Sequence, residues 1–361
     1  MPEAGNSTPI IWNDRVFVTQ PVSSENRRAL FCFDRRDGKL LWQSGVTVAD
    51  KERTHNTNPH GSASPVTDGE RVICWFGSGG LAAYEFGGKE LWRTDLGAHS
   101  HQFGYGGSPV IHGDLVLLNF GPGSREFLVA LDKRTGKELW RHASKTPSAD
   151  DIYGTWSTPF VAEREGRSEI ISALRSELAA LEPQTGKVLW HTTGHGIQAK
   201  ASPVAGEGVV VMSGDKDSTE VAMRLGGSGD ITATHLLWKK NPPKGRVGTG
   251  IIHNGHLFGI QSRGIADCLN LETGDVVWEE RLTGPGANNA VWGSPVLSEG
   301  KLFVMNQSGD VFVLRAGTRF EVLAINSLKE PSNSSVAPAS GELFLRTHKA
   351  LWCIGAKASA L

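Results

Sequence analysis

The chain has 361 residues, 37 basic and 38 acidic side chains and a net charge of −1, so it advertises neither a basic stripe for nucleic acid nor an acidic tail. No apolar run approaches the ~20 residues of a membrane-spanning helix. Four cysteines are too few for a disulfide framework. Each sits in a strand-like run, and Cys32, Cys74, Cys268 and Cys353, in four different registers or blades, read as buried free thiols.

In chain order, one element recurs. A small residue, then Ser or Thr, then Pro, precedes a short apolar run: Ser7-Thr8-Pro9, Ala63-Ser64-Pro65, Gly107-Ser108-Pro109, Ser157-Thr158-Pro159, Ala201-Ser202-Pro203 and Gly293-Ser294-Pro295. Gly248-Thr249-Gly250 fills the sixth place, and Val336-Ala337-Pro338 is read as the eighth. Eight units of about 45 residues match a four-stranded propeller blade. A second mark runs in step: Trp42, Trp92, Trp140, Trp190, Trp238 and Trp278 each end a tripeptide of one kind, with Leu or Val just before the Trp, five of the six just after a tight Gly turn. Leu323 takes that place in the seventh unit.

Within a unit the strand signals are short, and Gly at the turns supplies the positive φ of a tight hairpin. No stretch has a helical period. The chain therefore reads as all-β, a single domain over 1–361 forming an eight-bladed β-propeller of four-stranded antiparallel blades. The six repeating tryptophans are predicted to pack in the seams between blades. Burying 150–250 Å² of indole at about 25 cal/mol per Å² gives several kcal/mol per seam as an upper bound. Gly226-Gly227-Ser228-Gly229-Asp230 reads as a flexible insertion.

The phrases Ala130 to Trp140 and Ala180 to Trp190 resemble the repeat of the pyrroloquinoline-quinone-like (quinoprotein-like) β-propellers, and the similarity covers essentially the whole chain. That family includes quinoprotein alcohol dehydrogenases and the outer-membrane assembly lipoprotein BamB. The resemblance implies an eight-bladed scaffold in a bacterial, exported (periplasmic or secreted) setting. It does not imply the quinone, because the vicinal Cys-Cys pair of the dehydrogenases is missing here, and a fold hosts many functions.

Function is expected in the loops ahead of each innermost strand, which line one mouth of the channel. They carry His55, His60, His99, His101, Gln102, Tyr105, Tyr153, Trp156, His195, Lys200, Arg246, Asn289 and Trp292. Trp156 and Trp292 hold the same rank, third before the Pro, in units four and seven. They are read as two aromatic walls of a polar funnel suited to a sugar or another flat polar ligand. Two functions follow. The first is a binding or scaffold propeller with a small polar ligand, a carbohydrate or a protein partner at the channel mouth. The alternative is a carbohydrate-active enzyme of lyase or hydrolase type, with His101, His195, Tyr105 or Tyr153 in acid–base work and Lys200 or Arg246 countering a carboxylate. His99 and His101, with Gln102 and a neighbouring imidazole from His55, His60 or His195, are the residue types that would hold a divalent metal.

The eighth unit offers three strands, and only six residues follow Gly355. Met1 to Ala4 has neither the basic nor the apolar region of a signal peptide and is too short for an outer strand. The expectation is a trimmed version of a longer precursor, whose missing piece would carry an export signal and a Trp-bearing strand.

Overall fold

The computed structural model describes residues 1–49, 52–99, 101–144, 154–194, 199–214 and 219–355. Eight antiparallel sheets follow one another in chain order, each running from an innermost to an outer strand. Blade one shows the pattern: Ile10–Trp12 pairs with Arg15–Val22, that with Arg27–Asp34, and that with Leu40–Thr47. Two short 3-10 turns, Ser23–Glu25 and Gly77–Gly79, are the helical segments of the described residues. None is long and apolar enough to cross a membrane.

The second and third strands of each blade are apolar on both faces because both faces meet a neighbouring blade. Ile73, Leu81 and Ala83 of blade two, for example, pack against Val116, Leu118 and Val129 of blade three. The outer strands alternate and leave one edge in water, which explains exposed Leu41, Leu91, Leu139 and Val277.

Five of the six repeating tryptophans reach across to the next blade. Trp42, Trp92, Trp140, Trp238 and Trp278 each donate Nε1–H to a main-chain carbonyl in the turn of the next blade, at 2.8–2.9 Å. Trp190 departs from this. Its indole is fully buried and donates to Glu169 Oε2, because the glycine-rich insertion is not loose. Gly229–Asp230 pairs in parallel with Trp190 and His191 and gives blade four a fifth strand.

Strand pairing corrects two assignments, and burial corrects a third, that of Cys353 as a buried thiol. A bulge just before Ala324 leaves Leu323 unpaired and sets Ala324 opposite Val313, where Trp140 stands opposite Ala130; Ala324, not Leu323, takes the Trp place. Ala337 begins the innermost strand of blade eight, as Ile10 does in blade one, so the eighth hydroxyl is Ser335 and Val336 fills the proline place. Cys32, Cys268 and Cys353 share one position, each paired with a Phe of the second strand (Phe17, Phe258, Phe344). Cys32 and Cys268 are buried there, while Cys353 is exposed.

Blade eight has three described strands: Ala337–Ala339, Glu342–Arg346 and Leu351–Gly355. Residues 356–361, weighed above as a source of a fourth, lie outside the described residues. Arg346 ties this blade to blade one. Its buried guanidinium donates to the carbonyl of Thr19 and to Gln20 Oε1, both at 2.7 Å, and to Ser7 Oγ. A Cβ at Gly5 would collide with that guanidinium, so the chain passes it at a glycine.

Candidate functional site: the central channel

The small-residue, hydroxyl, proline motif has a physical cause. The small residue abuts the main chain of its counterpart in the next blade: a Cβ at Gly248 would fall 2.4 Å from the carbonyl of Gly293, and one at Gly293 2.5 Å from that of Ser334. The hydroxyl that follows links the blades. Thr8 N–H donates to Ser64 Oγ at 2.9 Å, Ser64 N–H to Ser108 Oγ at 2.9 Å, and Ser108 N–H to Thr158 Oγ1 at 3.0 Å. The chain continues from Thr158 to Ser202, Ser202 to Thr249, Thr249 to Ser294 and Ser294 to Ser335, at 2.8–3.0 Å. The result is a belt of hydroxyls around the channel. Each accepting oxygen uses a lone pair on the previous blade, and none donates its proton to a described residue, so the belt presents O–H donors to the lumen.

Above the belt lies a cavity of about 620 Å³. Its second tier is the residue two before each hydroxyl. Asn6, Ser62, Gly106 and Trp156 supply it in blades one to four, and Lys200, Val247, Trp292 and Asn333 in blades five to eight. His55, Thr57, Asn58 and Phe103 complete the rim. Among the described residues the lining contains two indoles, one lysine, one imidazole and no carboxylate.

Trp156 is held in place. Its Nε1–H donates to the carbonyl of Gly104 at 3.0 Å, its own N–H donates to the carbonyl of Ala199, and His101 meets its ring edge-on at 5.2 Å between centroids. Gly106 leaves room for it, since a Cβ there would sit 3.3 Å from Trp156 Cδ1.

The structure divides the other expected residues. His55 lines the rim, bonded through Nδ1 to Thr57 Oγ1 at 2.7 Å and 5.4 Å from the Phe103 ring. Lys200 lines the channel. His101 is buried behind Trp156, with Nδ1 accepting the N–H of Phe103. Gln102 is exposed and outside the lining. His60, His99 and Tyr105 form a separate buried group: Tyr105 lies 6.4 Å from His60 and 5.7 Å from His99, and His99 reaches Phe120 at 5.5 Å. Burial pulls both imidazoles down to about 4, the nearby positive charge of Arg28 adding to this at His60. Burial likewise pushes the Tyr105 phenol far above its ordinary range. Among the described histidines of these loops, His55 is the one that meets the cavity.

Arg246 does counter carboxylates, but they are the protein's own. It is 1 % exposed and bridges Glu220 Oε1 of blade five at 2.9 Å to Asp267 Oδ1 of blade six at 2.7 Å. Asn289 lies off the channel in a loop network with Gly284 and Asn306. His195 and Tyr153 lie outside the described residues. No group of three metal-ligating side chains (His, Cys, Asp or Glu) converges among the described residues, and His99 and His101 face different packing environments. The hydroxyl belt is the feature that sequence reasoning missed as a site; its signal was the Ser/Thr of every repeat, read there as punctuation.

An eight-bladed ring with a lined, polar axial cavity defines the class, and comparison with known proteins supplies the family. The chain belongs to the family described as outer membrane protein assembly factor BamB, whose profile matches residues 26–280 and again 126–360. It is similar in fold to BamB from Moraxella catarrhalis, with a TM-score of 0.66 at 14% identity over 96% of this chain and 92% of that one. A europium-containing methanol dehydrogenase superposes at 0.67 with 13% identity, covering 95% of this chain and 82% of that one. In sequence, a quinohemoprotein alcohol dehydrogenase, ADH-IIG from Pseudomonas putida, is 30% identical over 147 residues, 37% of this chain. The match spans only 19% of that enzyme.

The quinone of such dehydrogenases is a planar polycarboxylate, which needs several cations around it and acidic ligands for a companion metal. The described lining offers Lys200 and no carboxylate, and no two cysteines are adjacent in the sequence. These residues do not fit it.

Proposed function

We propose that this protein is an exported, non-catalytic binding propeller that takes a small polar ligand, a carbohydrate above all, at the mouth of its channel. The observation that carries this reading is the placement of Trp156 and Trp292 at the same rank of two loops, both on one cavity, above a belt of hydroxyl donors. Apolar sugar faces stack on indoles while their hydroxyls need partners of the kind Asn6, Asn333 and the belt provide. Binding is favoured over hydrolysis or elimination because the described lining has no carboxylate and a single imidazole, so no acid–base pair meets there among the described residues. The exported setting rests on the family's description as an outer membrane assembly factor, which also supports a protein partner on the same face.

The test is titration calorimetry against neutral and uronic-acid oligosaccharides. At least one should bind, and Trp156→Ala or Trp292→Ala should weaken it about 10-fold or more, roughly the value of one lost aromatic contact, with little change in melting temperature. A ligand that binds both variants as well as the parent would overturn the site.

A further inference from the structure

Two tryptophans wall the channel, and their anchors differ. Each is preceded by a buried residue, Thr155 or Val291, whose N–H crosses to the loop between the second and third strands of the blade before it. Val291 donates to the main-chain carbonyl of Ser262 at 3.1 Å. Thr155 donates instead to a side chain, the carboxylate of Glu126, whose Oε1 lies 2.7 Å away. Glu126 Oε2 accepts a second N–H of blade four at 3.0 Å, that of Arg175 in the turn between Arg167–Leu174 and Glu177–Leu181. One carboxylate of blade three thus grips blade four at two points, one of them a single residue from Trp156.

The surrounding chain is built around this grip. A Cβ at Gly154 would fall 2.3 Å from Glu126 Oε1 and one at Gly121 3.4 Å from it, so two glycines let the main chain close over the carboxylate. Ser157, on the far side of Trp156, is buried as well: its Oγ accepts the Asn119 amide at 3.1 Å and donates to the carbonyl of Ala173 at 2.8 Å. With Thr155 and Ser157 both locked in the seam, alternation along the chain turns the residue between them into the channel. Burial raises the Glu126 carboxyl to about 7, against the lowering effect of the two N–H bonds and of the Arg175 charge. The other charged or titratable groups nearby, among the described residues, are Arg125 over Phe120 and Phe127, His99 against Phe120, the His142–Glu177 pair beside Arg175, and His101 on Trp156.

We infer that Glu126 is the positioning residue for the Trp156 wall of the channel, and that taking up a proton releases that wall. The ionised carboxylate offers one accepting oxygen to each N–H. When a proton binds, one oxygen becomes a hydroxyl donor, the N–H facing it loses its partner, and the stretch from Thr155 to Trp156 slackens. Trp292 hangs from a main-chain carbonyl that does not titrate, so acid loosens one wall and leaves the other. The inference rests on the channel reading only in taking Trp156 as its wall. Its test uses no ligand, so its failure and that of the binding titrations are told apart.

The experiment is fluorine NMR of the full chain labelled with fluorotryptophan, followed from about pH 5 to about pH 9, with the Trp156 and Trp292 resonances assigned by Phe substitution. The Trp156 signal should move with a midpoint near 7, and the Trp292 signal should not follow it. The movement should survive His101→Gln, which removes the imidazole lying on Trp156, and should vanish in Glu126→Gln. Glu126→Asp, one methylene too short to hold both N–H groups, should shift the midpoint away from 7 and covers the case in which the Gln form does not fold. Four results would overturn the inference: a fixed Trp156 signal, one that moves in step with Trp292, one whose movement is lost with His101, or one still titrating near 7 in either Glu126 variant.

Discussion

Trp140 and Gly186 meet face to face across the seam between blades three and four: a Cβ at Gly186 would lie 2.4 Å from Trp140 Cε3, and the indole donates to the carbonyl of Pro183 in the same turn at 2.8 Å. One contact thus explains why the repeat carries both a turn glycine and a tryptophan. The glycine is needed twice, for its φ of +69 and for the absent side chain.

Trp140→Ala should therefore cost about 3 kcal/mol of stability, and Gly186→Ala about 1–2 kcal/mol from the left-handed backbone, with a further loss from displacing the indole. Neither should change ligand affinity at the channel. Urea unfolding checks this. If Trp156→Ala proved as destabilising as Trp140→Ala, the separation of seam from site would fail.

Arg246→Met should lose about 3–5 kcal/mol, because it leaves Glu220 and Asp267 buried with no counter-charge. Replacing all three by apolar residues of similar volume should recover most of that loss. Ligand titration separates this role from the one first expected of Arg246. A Met variant with unchanged stability and weakened binding would put the guanidinium back in the site.

Acid should loosen blades two and three. His60 and His99 are held neutral in the folded state, with values near 4, against an ordinary value near 6.5. Below about 6.5 the unfolded chain takes up protons that the folded one refuses, so stability falls as pH drops from 6.5 towards 4. Below about 4 both states are protonated and these two groups contribute no further loss. Melting temperatures of the parent and of a His60→Gln/His99→Gln variant should converge across that window, with the variant's profile the flatter. Parallel profiles would show that the two imidazoles are solvated.

The repeat was legible from the chain because it is local. A turn glycine, a tryptophan four residues on and a hydroxyl ahead of each innermost strand all follow from contacts made identically by each blade with the next. The blade-eight misalignment shows the limit: Pro338 imitated the mark, but pairing of Ala337 with Phe344 places the hydroxyl at Ser335.

By itself, the sequence determined the all-β propeller, its eight blades and the three strands described in the last of them. Only the tertiary structure decided which polar residues face that channel. Rank along a loop does not report the direction of a side chain, which is set by what the adjoining blade offers. Arg246 turned inward because two carboxylates of neighbouring blades await it, and Tyr105 and His99 because Trp75 and Phe120 form an aromatic pocket beside them. The hydroxyls became a belt for the same reason: seven of the eight accept a main-chain N–H from 41–56 residues away, a relation that exists only once the ring is formed.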